Sequence, residues 1–409
     1  MKKWSFLAVL AIVTALLALP AIAGEPAPVK IGAIFPISGA NADSGKLNLD
    51  GVMLAAKHIN DRGGIKSLGG AKIEIVSGDC MSDTNQCKAV AERILQDKSI
   101  MAVTGASASS FVLPMLPVFE KSRTPFITAQ LALAICNQGY QWIFETTGNS
   151  NEFAAAQVNF MKYLNSDYGL NINKVAIVYE NTEWGQSNAA GAAKLAKEAG
   201  MDVVFNESFP VGLPDASSLV TALKNMGAEV MLPIAYAQDC KTLFSAMRSL
   251  RYSPIIIGGG GGIVLPSFAE EIGSDIEGVV SSSSSAWDTT NIINNPEFDF
   301  VAADFLKEYG VFMTEQSVAS YNIIWMLGKA LEKAGSRDKR VLRDTIRALD
   351  IESMTIGGPL KFDETGYNTN GKSVMVQWQK QDDGTFIPRT VYPPEYSPVK
   401  YILPEGMRK

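Results

Sequence analysis

From residue 29 onward, short apolar runs alternate with stretches whose apolar residues recur at helical spacing, and the alternation is run through twice. Few folds accommodate that pattern. Residues 29–35 (VKIGAIF) read as a buried strand closed by Pro36 and Ser38-Gly39. Leu49, Val52, Ala56 and Ile59 then mark a helix that stops at 61–64 (DRGG). A strand over 71–76, a helix over 85–96, a strand over 101–104, a Ser-rich turn with a further helix to about 121, and a strand over 125–128 complete the first series. The pattern restarts after Gly148 with a helix over 152–164, and then strands over 174–179, 202–208, 229–233 and 254–257. Helices over 185–199, 216–226 and 240–250 separate those strands. A third stretch holds helices over 317–334 and 339–349 and a strand over 373–378. The remainder, with Pro388, Pro393, Pro394, Pro398 and Pro404, reads as extended chain draped over the surface.

Strands regularly separated by helices predict βαβ units and parallel sheets. The predicted fold class is therefore α/β, with two doubly wound parallel-sheet lobes. Ligands of such sheets sit outside the carboxyl ends of the strands, so two facing lobes enclose a cleft suited to a small molecule.

The first 23 residues predict export as a signal peptide. Lys2 and Lys3 precede an apolar run over 6–19, Pro20 breaks it, and Ala21-Ile22-Ala23 offers a small-residue cleavage site. The run is short for a membrane anchor, and no later segment approaches the roughly 20 apolar residues of a transmembrane helix. No cysteine follows the cleavage site to carry a lipid. Residues 24–409 are too many for one core and suit two domains. A net charge of −6 without a basic stretch argues against nucleic acid as a partner.

Four cysteines fit an oxidising compartment. Cys80 and Cys87 are close enough to staple the turn between a strand and the next helix; the alternative is two inert buried thiols. Cys136 and Cys240 are expected unpaired, and their spacing is not that of a zinc site. His58 is the single histidine, on the first helix and away from the expected cleft, and there is no G-x-S-x-G elbow. The glycine run 258–262 follows a strand but lacks the third glycine and the acid of a dinucleotide fingerprint. No enzyme activity, metal or cofactor is expected.

Eight segments, in order, resemble the bacterial leucine/isoleucine/valine-type periplasmic binding proteins of ABC transporters. They are Ile31-Gly32-Ala33 with Ser38-Gly39, 51–65 (GVMLAAKHINDRGGI), Ala89-Val90-Ala91-Glu92, 105–110 (GASASS), Gly139-Tyr140-Gln141, 175–185 (VAIVYENTEWG), Phe209-Pro210-Val211-Gly212, and the stretch from Gly357-Gly358-Pro359-Leu360 through Phe362-Asp363 to Gly366. The resemblance implies a type I periplasmic binding fold whose lobes are joined by a three-strand hinge. Crossings are expected near Thr147-Gly148, Ser281–Ser283 and Phe362–Glu364. Lobe 1 then comprises 28–147 and 283–362, and lobe 2 comprises 148–282 and 363–409. It implies a periplasmic monomer that closes on an amino acid or related small carboxylate or amide and presents it to the permease subunits of an ABC importer. A ligand-sensing receptor module is the alternative, and a hydrolase a more distant one.

The same resemblance nominates the ligand contacts. Ala108, Ser109 and Ser110 match a helix-opening turn that offers a Ser hydroxyl and N–H groups to a ligand carboxylate; plain helix capping is the alternative. Gln130 matches a backbone carbonyl for the ammonium, and Ala132 stands where a threonine hydroxyl is expected, so one carboxylate donor is missing. Trp184 and Tyr236 match aromatic walls of the second lobe, and Ser44 a position often aromatic in the first. Gly260 stands where amino-acid binders carry a glutamate for the ammonium, and 148–151 (GNSN) lacks a second acid. Either another acid such as Glu183 or Asp239 substitutes, or the ligand is a bulkier carboxylate or amide. The glycines could also form only a flexible turn.

Overall fold

The computed structural model describes residues 25–355 and 358–403; the expected signal peptide over 1–23 lies outside them, as does Gly357 of the last segment. The first series folds as β1 (Val29–Phe35), α1 (Ala42–Asp61), β2 (Ile73–Asp79), α2 (Thr84–Ile94), β3 (Ile100–Gly105), α3 (Ser109–Val112), α4 (Leu116–Ser122), β4 (Phe126–Thr128) and β5 (Ile143–Glu145). Its five strands are all parallel, in the order β2-β1-β3-β4-β5. β3 is buried along its whole length, which is why its sequence is a continuous apolar run rather than an alternation. β5 was invisible in the sequence because three residues are too few to show any period.

The second series folds as α5 (Ser150–Tyr168), β6 (Lys174–Glu180), α6 (Glu183–Glu198), β7 (Asp202–Phe209), α7 (Ser217–Met226), β8 (Val230–Ile234), α8 (Ala237–Ser249), β9 (Ile255–Gly258), α9 (Pro266–Ile272) and β10 (Val280–Ser283). Its parallel strands run β7-β6-β8-β9-β10, the same winding as the first sheet. The chain then forms α10 (Thr290–Ile293), α11 (Val301–Tyr309), α12 (Glu315–Ala334), α13 (Lys339–Arg347), a two-stranded ribbon of β11 (Asp350–Thr355) and β12 (Gly358–Lys361), and finally β13 (Val374–Lys380) and β14 (Phe386–Tyr392). β13 extends the second sheet antiparallel to β10, and β14 pairs antiparallel to β13 at its edge.

The chain therefore passes between the sheets three times: after β5, after β10 and between β12 and β13. Helix α12 packs on α1, beside the first sheet. Gly51 permits that approach, because a Cβ there would stand 2.2 Å from the Ser317 carbonyl oxygen. His58 lies at the same interface, its ring nitrogens 2.9 Å from the Tyr321 hydroxyl and 3.3 Å from Asp304.

The C-terminal stretch corrects the expectation of draped chain, since β14 is a true strand. It occupies the sheet edge, where Pro388 costs no ladder bond on its open side. Asp288 anchors it by accepting from Arg389 Nε (2.8 Å) and Thr390 Oγ1 (2.6 Å). Tyr401 beyond it is buried, its ring meeting Phe160 and Tyr168 at 5.5 and 5.2 Å. Cys80 and Cys87 form a disulfide between β2 and α2, while Cys136 and Cys240 are free and buried. Among the described residues no helix is long and apolar enough to cross a membrane, and no cluster of side chains could hold a metal ion.

Candidate functional site

The carboxyl ends of both sheets face a common cavity of about 470 Å³. Ser107 and Ser109 reach it from the turn after β3, and Ala129, Gln130 and Leu131 from the loop after β4. Trp184 comes from the first turn of α6, Tyr236 from the end of β8, Gly261 from the loop after β9 and Ser284 from the residue after β10. Asn48 of α1 and Glu315, Gln316 and Ala319 of α12 complete the wall. The switch point of each doubly wound sheet, between its first and third strands, thus contributes directly.

Two polar knots hold this wall in place. Asn48 Nδ2 donates to Ser44 O (2.7 Å) and Ser107 Oγ (3.1 Å), while its Oδ1 accepts from Ser320 Oγ (2.8 Å), tying the β3 turn to α12. Ser109 Oγ accepts from the Ala132 N–H at 3.2 Å, which fixes the β4 loop against α3. Ser109 and Tyr236 line the cavity from opposite sheets, and α3, which Ser109 opens, meets α6 of the second series. Burial pushes the Tyr236 phenol up, and it remains protonated at neutral pH. Trp184 stacks obliquely on Tyr236, ring centroids 4.9 Å apart.

Glu315 is the one charged side chain lining the cavity. It sits in the first turn of a 20-residue helix, where the helix dipole favours an acid. Its Oε1 accepts from the Ser284 N–H and Oγ, both at 2.7 Å. Gln316 Nε2 donates to Gly261 O at 3.0 Å, leaving Gln316 Oε1 without a donor among the described residues. Burial raises the Glu315 pKa against these hydrogen bonds.

The glycine run is packed, not slack. Gly261 has φ +65°, and a Cβ on Gly262 would stand 1.9 Å from the Ala237 nitrogen. At Gly260 a Cβ would meet Phe153 at 2.7 Å and lie 3.6 Å from Glu315 Oε2. A glutamate rooted at 260 has no room there, and an acid enters the same space from α12.

Of the residues nominated from sequence, Ser109, Gln130, Trp184 and Tyr236 line the cavity. Ser110 instead faces an outer chamber of about 1350 Å³ that also touches Tyr236 and Ser44. Ala108 is the buried N-cap of α3, and Ala132 is buried with its N–H spent on Ser109. Gly260 lies one residue behind the wall, its N–H donated to Ser281 Oγ at 3.0 Å. Neither substitute acid reaches the cavity: Glu183 is exposed on α6, and Asp239 accepts from Gly212 and Leu213 N–H at 3.0 and 2.8 Å. Beside Asp239, Glu180 is fully buried, with Oε1 on the Tyr236 N–H and Oε2 unpartnered. Burial first, and Asp239 after it, push Glu180 up to about 8 against that N–H.

Glu315, Gln316, Ser284, Asn48 and Ser107 were missed. One signal was available: Thr314-Glu315 ahead of the apolar run is a helix start with an acid in its first turn. Starting that helix at 317 left Glu315 in a loop.

A family model described as periplasmic binding protein matches residues 28–385. The Leu/Ile/Val-binding protein homolog 7 of Brucella abortus (strain 2308) is 28% identical over 391 residues, 93% of this chain and 95% of that protein. Among solved structures, the leucine-binding protein LivK of Thermotoga maritima superposes with a TM-score of 0.77 at 19% identity, covering 90% of this chain and 99% of that one. The branched-chain amino acid transporter substrate-binding protein LivJ of Streptococcus pneumoniae, in complex with isoleucine, gives 0.76 at 20% identity, covering 90% and 100%.

Proposed function

Because the chain belongs to the periplasmic binding protein family, whose members bind solutes rather than transform them, we propose that it is the substrate-binding component of an ABC importer. It binds an amino acid or a related small carboxylate or amide between lobe 1 (28–147 and 283–362) and lobe 2 (148–282 and 363–409). The lobes swing about the three crossings, and a membrane permease accepts the closed, monomeric form. The N-terminal 23 residues direct export to the periplasm and are then removed.

The observation that carries this reading is the cavity with walls from both sheets, Ser109 standing on one and Tyr236 on the other. A guest there touches both lobes at once, and only a guest that does so can shift the open–closed equilibrium. Trp184 and Tyr236 suit the apolar part of the ligand, and the Ser109 hydroxyl suits an acceptor such as a carboxylate. The relatives named for leucine, isoleucine and valine support the ligand class.

The test is thermal-shift screening of residues 24–409 against amino acids, amides and aromatic acids, followed by X-ray scattering. A stabilising compound that also lowers the radius of gyration is expected. A tightly bound compound that leaves the scattering unchanged would contradict closure.

A further inference from the structure

The cavity has an asymmetric polar wall. On the α12 side stand the Glu315 carboxylate and Gln316, whose Oε1 has no donor among the described residues. On the β3 side stand the Ser107 and Ser109 hydroxyls, each accepting one hydrogen bond with its own proton left to give. Among the described residues no Lys, Arg or His lines the cavity to balance Glu315. An ionised carboxylate in a confined cavity without a counter-charge is costly, and an ammonium supplies both the charge and up to three donors.

We propose that Glu315 is the specificity-determining residue of the cleft: it selects ligands carrying a cationic group, and does so from lobe 1 beside Gln316, which holds Gly261 of lobe 2. This deepens the solute-binding reading above and rests on it. The vacancy at Gly260 then does not signal a neutral ligand. The acid has changed its root from the β9 loop to α12, because Phe153 fills the space that a side chain at 260 would need. Both polar anchors, Ser109 and Glu315, consequently lie on elements packed around the first sheet. Lobe 2 supplies the aromatic lid of Trp184 and Tyr236 and the backbone of Gly261. The residue next to the one that meets the cation holds Gly261, so charge recognition and closure share the first turn of α12.

Isothermal titration calorimetry tests this with the twenty amino acids, their 2-hydroxy-acid counterparts, primary amides and aromatic acids. The ammonium-bearing compound of a matched pair is expected to bind wild type about 30-fold tighter or more, as for a desolvated charge pair. Glu315→Gln, with its melting temperature measured as a check on folding, is expected to bring the pair within about threefold, and Glu315→Asp to keep part of the preference. A hydroxy acid, amide or aromatic acid that binds wild type as well as any amino acid overturns the role of Glu315 and leaves cleft binding standing. So does a preference that survives in Glu315→Gln. Silence from every compound overturns the solute-binding reading, and the inference with it.

Discussion

Gly262 lies so close to Ala237 that a Cβ built on it would stand 1.9 Å from the Ala237 backbone nitrogen. Backbone cannot yield as a flexible side chain can, so the β9 loop and the start of α8 are held as one piece. Gly262→Ala is therefore expected to lower stability by about 1–3 kcal/mol, as other overpacking substitutions do. Gly200→Ala, at φ +79° with nothing within 4 Å, should cost only about 1 kcal/mol for its left-handed backbone. Urea unfolding of the two variants compares them, and equal losses would mean that the Gly262 contact is relieved cheaply.

Tyr236 belongs to the cavity wall and packs on Trp184. Tyr236→Ala should weaken ligand binding by about 2 kcal/mol or more, roughly 30-fold, with the circular dichroism spectrum unchanged. Tyr236→Phe keeps the ring and loses only the phenolic hydroxyl, so a loss of about 1 kcal/mol is expected. Calorimetric titration of both variants separates ring from hydroxyl, and wild-type affinity in Tyr236→Ala would remove the residue from the site.

Glu180 links stability to pH. Burial pushes it up to about 8 from 4.5, so between those values the folded chain holds a proton that the unfolded chain has released. Its stabilising contribution is whole below the unfolded value and is lost as pH rises through about 8. Glu180→Gln is neutral at every pH. Its melting temperature should gain on wild type from pH 5 to about pH 8 and level off above it, and a constant offset from pH 5 to pH 9 would contradict the assignment.

The Cys80–Cys87 disulfide closes a short loop, with a sequence separation of 7, beside the outer chamber that Ser82 lines. Restricting the unfolded chain over such a loop contributes about 2–3 kcal/mol. The double substitution Cys80→Ser with Cys87→Ser should lower the urea midpoint accordingly, and reductant should then have no further effect. A reductant response persisting in that variant would point to Cys136 or Cys240.

Much of the fold was legible because burial leaves periodic traces. The continuous apolar runs at β1, β3 and β8 and the helical spacing of α1 identified doubly wound units, and their repetition identified two of them. β10 left no such trace: Val280-Ser281-Ser282-Ser283 is wholly buried yet mostly hydroxyl, with Ser281 and Ser282 satisfied by local partners. β14 was hidden by its proline, which only an edge position tolerates. Within the site, Ser109, Trp184 and Tyr236 were nominated by the family resemblance, and Ser109 also stands in a Ser-rich turn that follows a legible strand.

By itself the chain of residues determined which segments become strands and helices and how many sheets they form, because hydrophobic period is a local property. Only the tertiary structure decided which acid reaches the cavity. Glu183 follows a β-strand of the second sheet and yet points to solvent, whereas Glu315 arrives from a helix far along the chain. It does so because Gly51 lets α12 settle backbone to backbone on α1. Contacts between elements distant in sequence carry no period, so packing alone could place that charge.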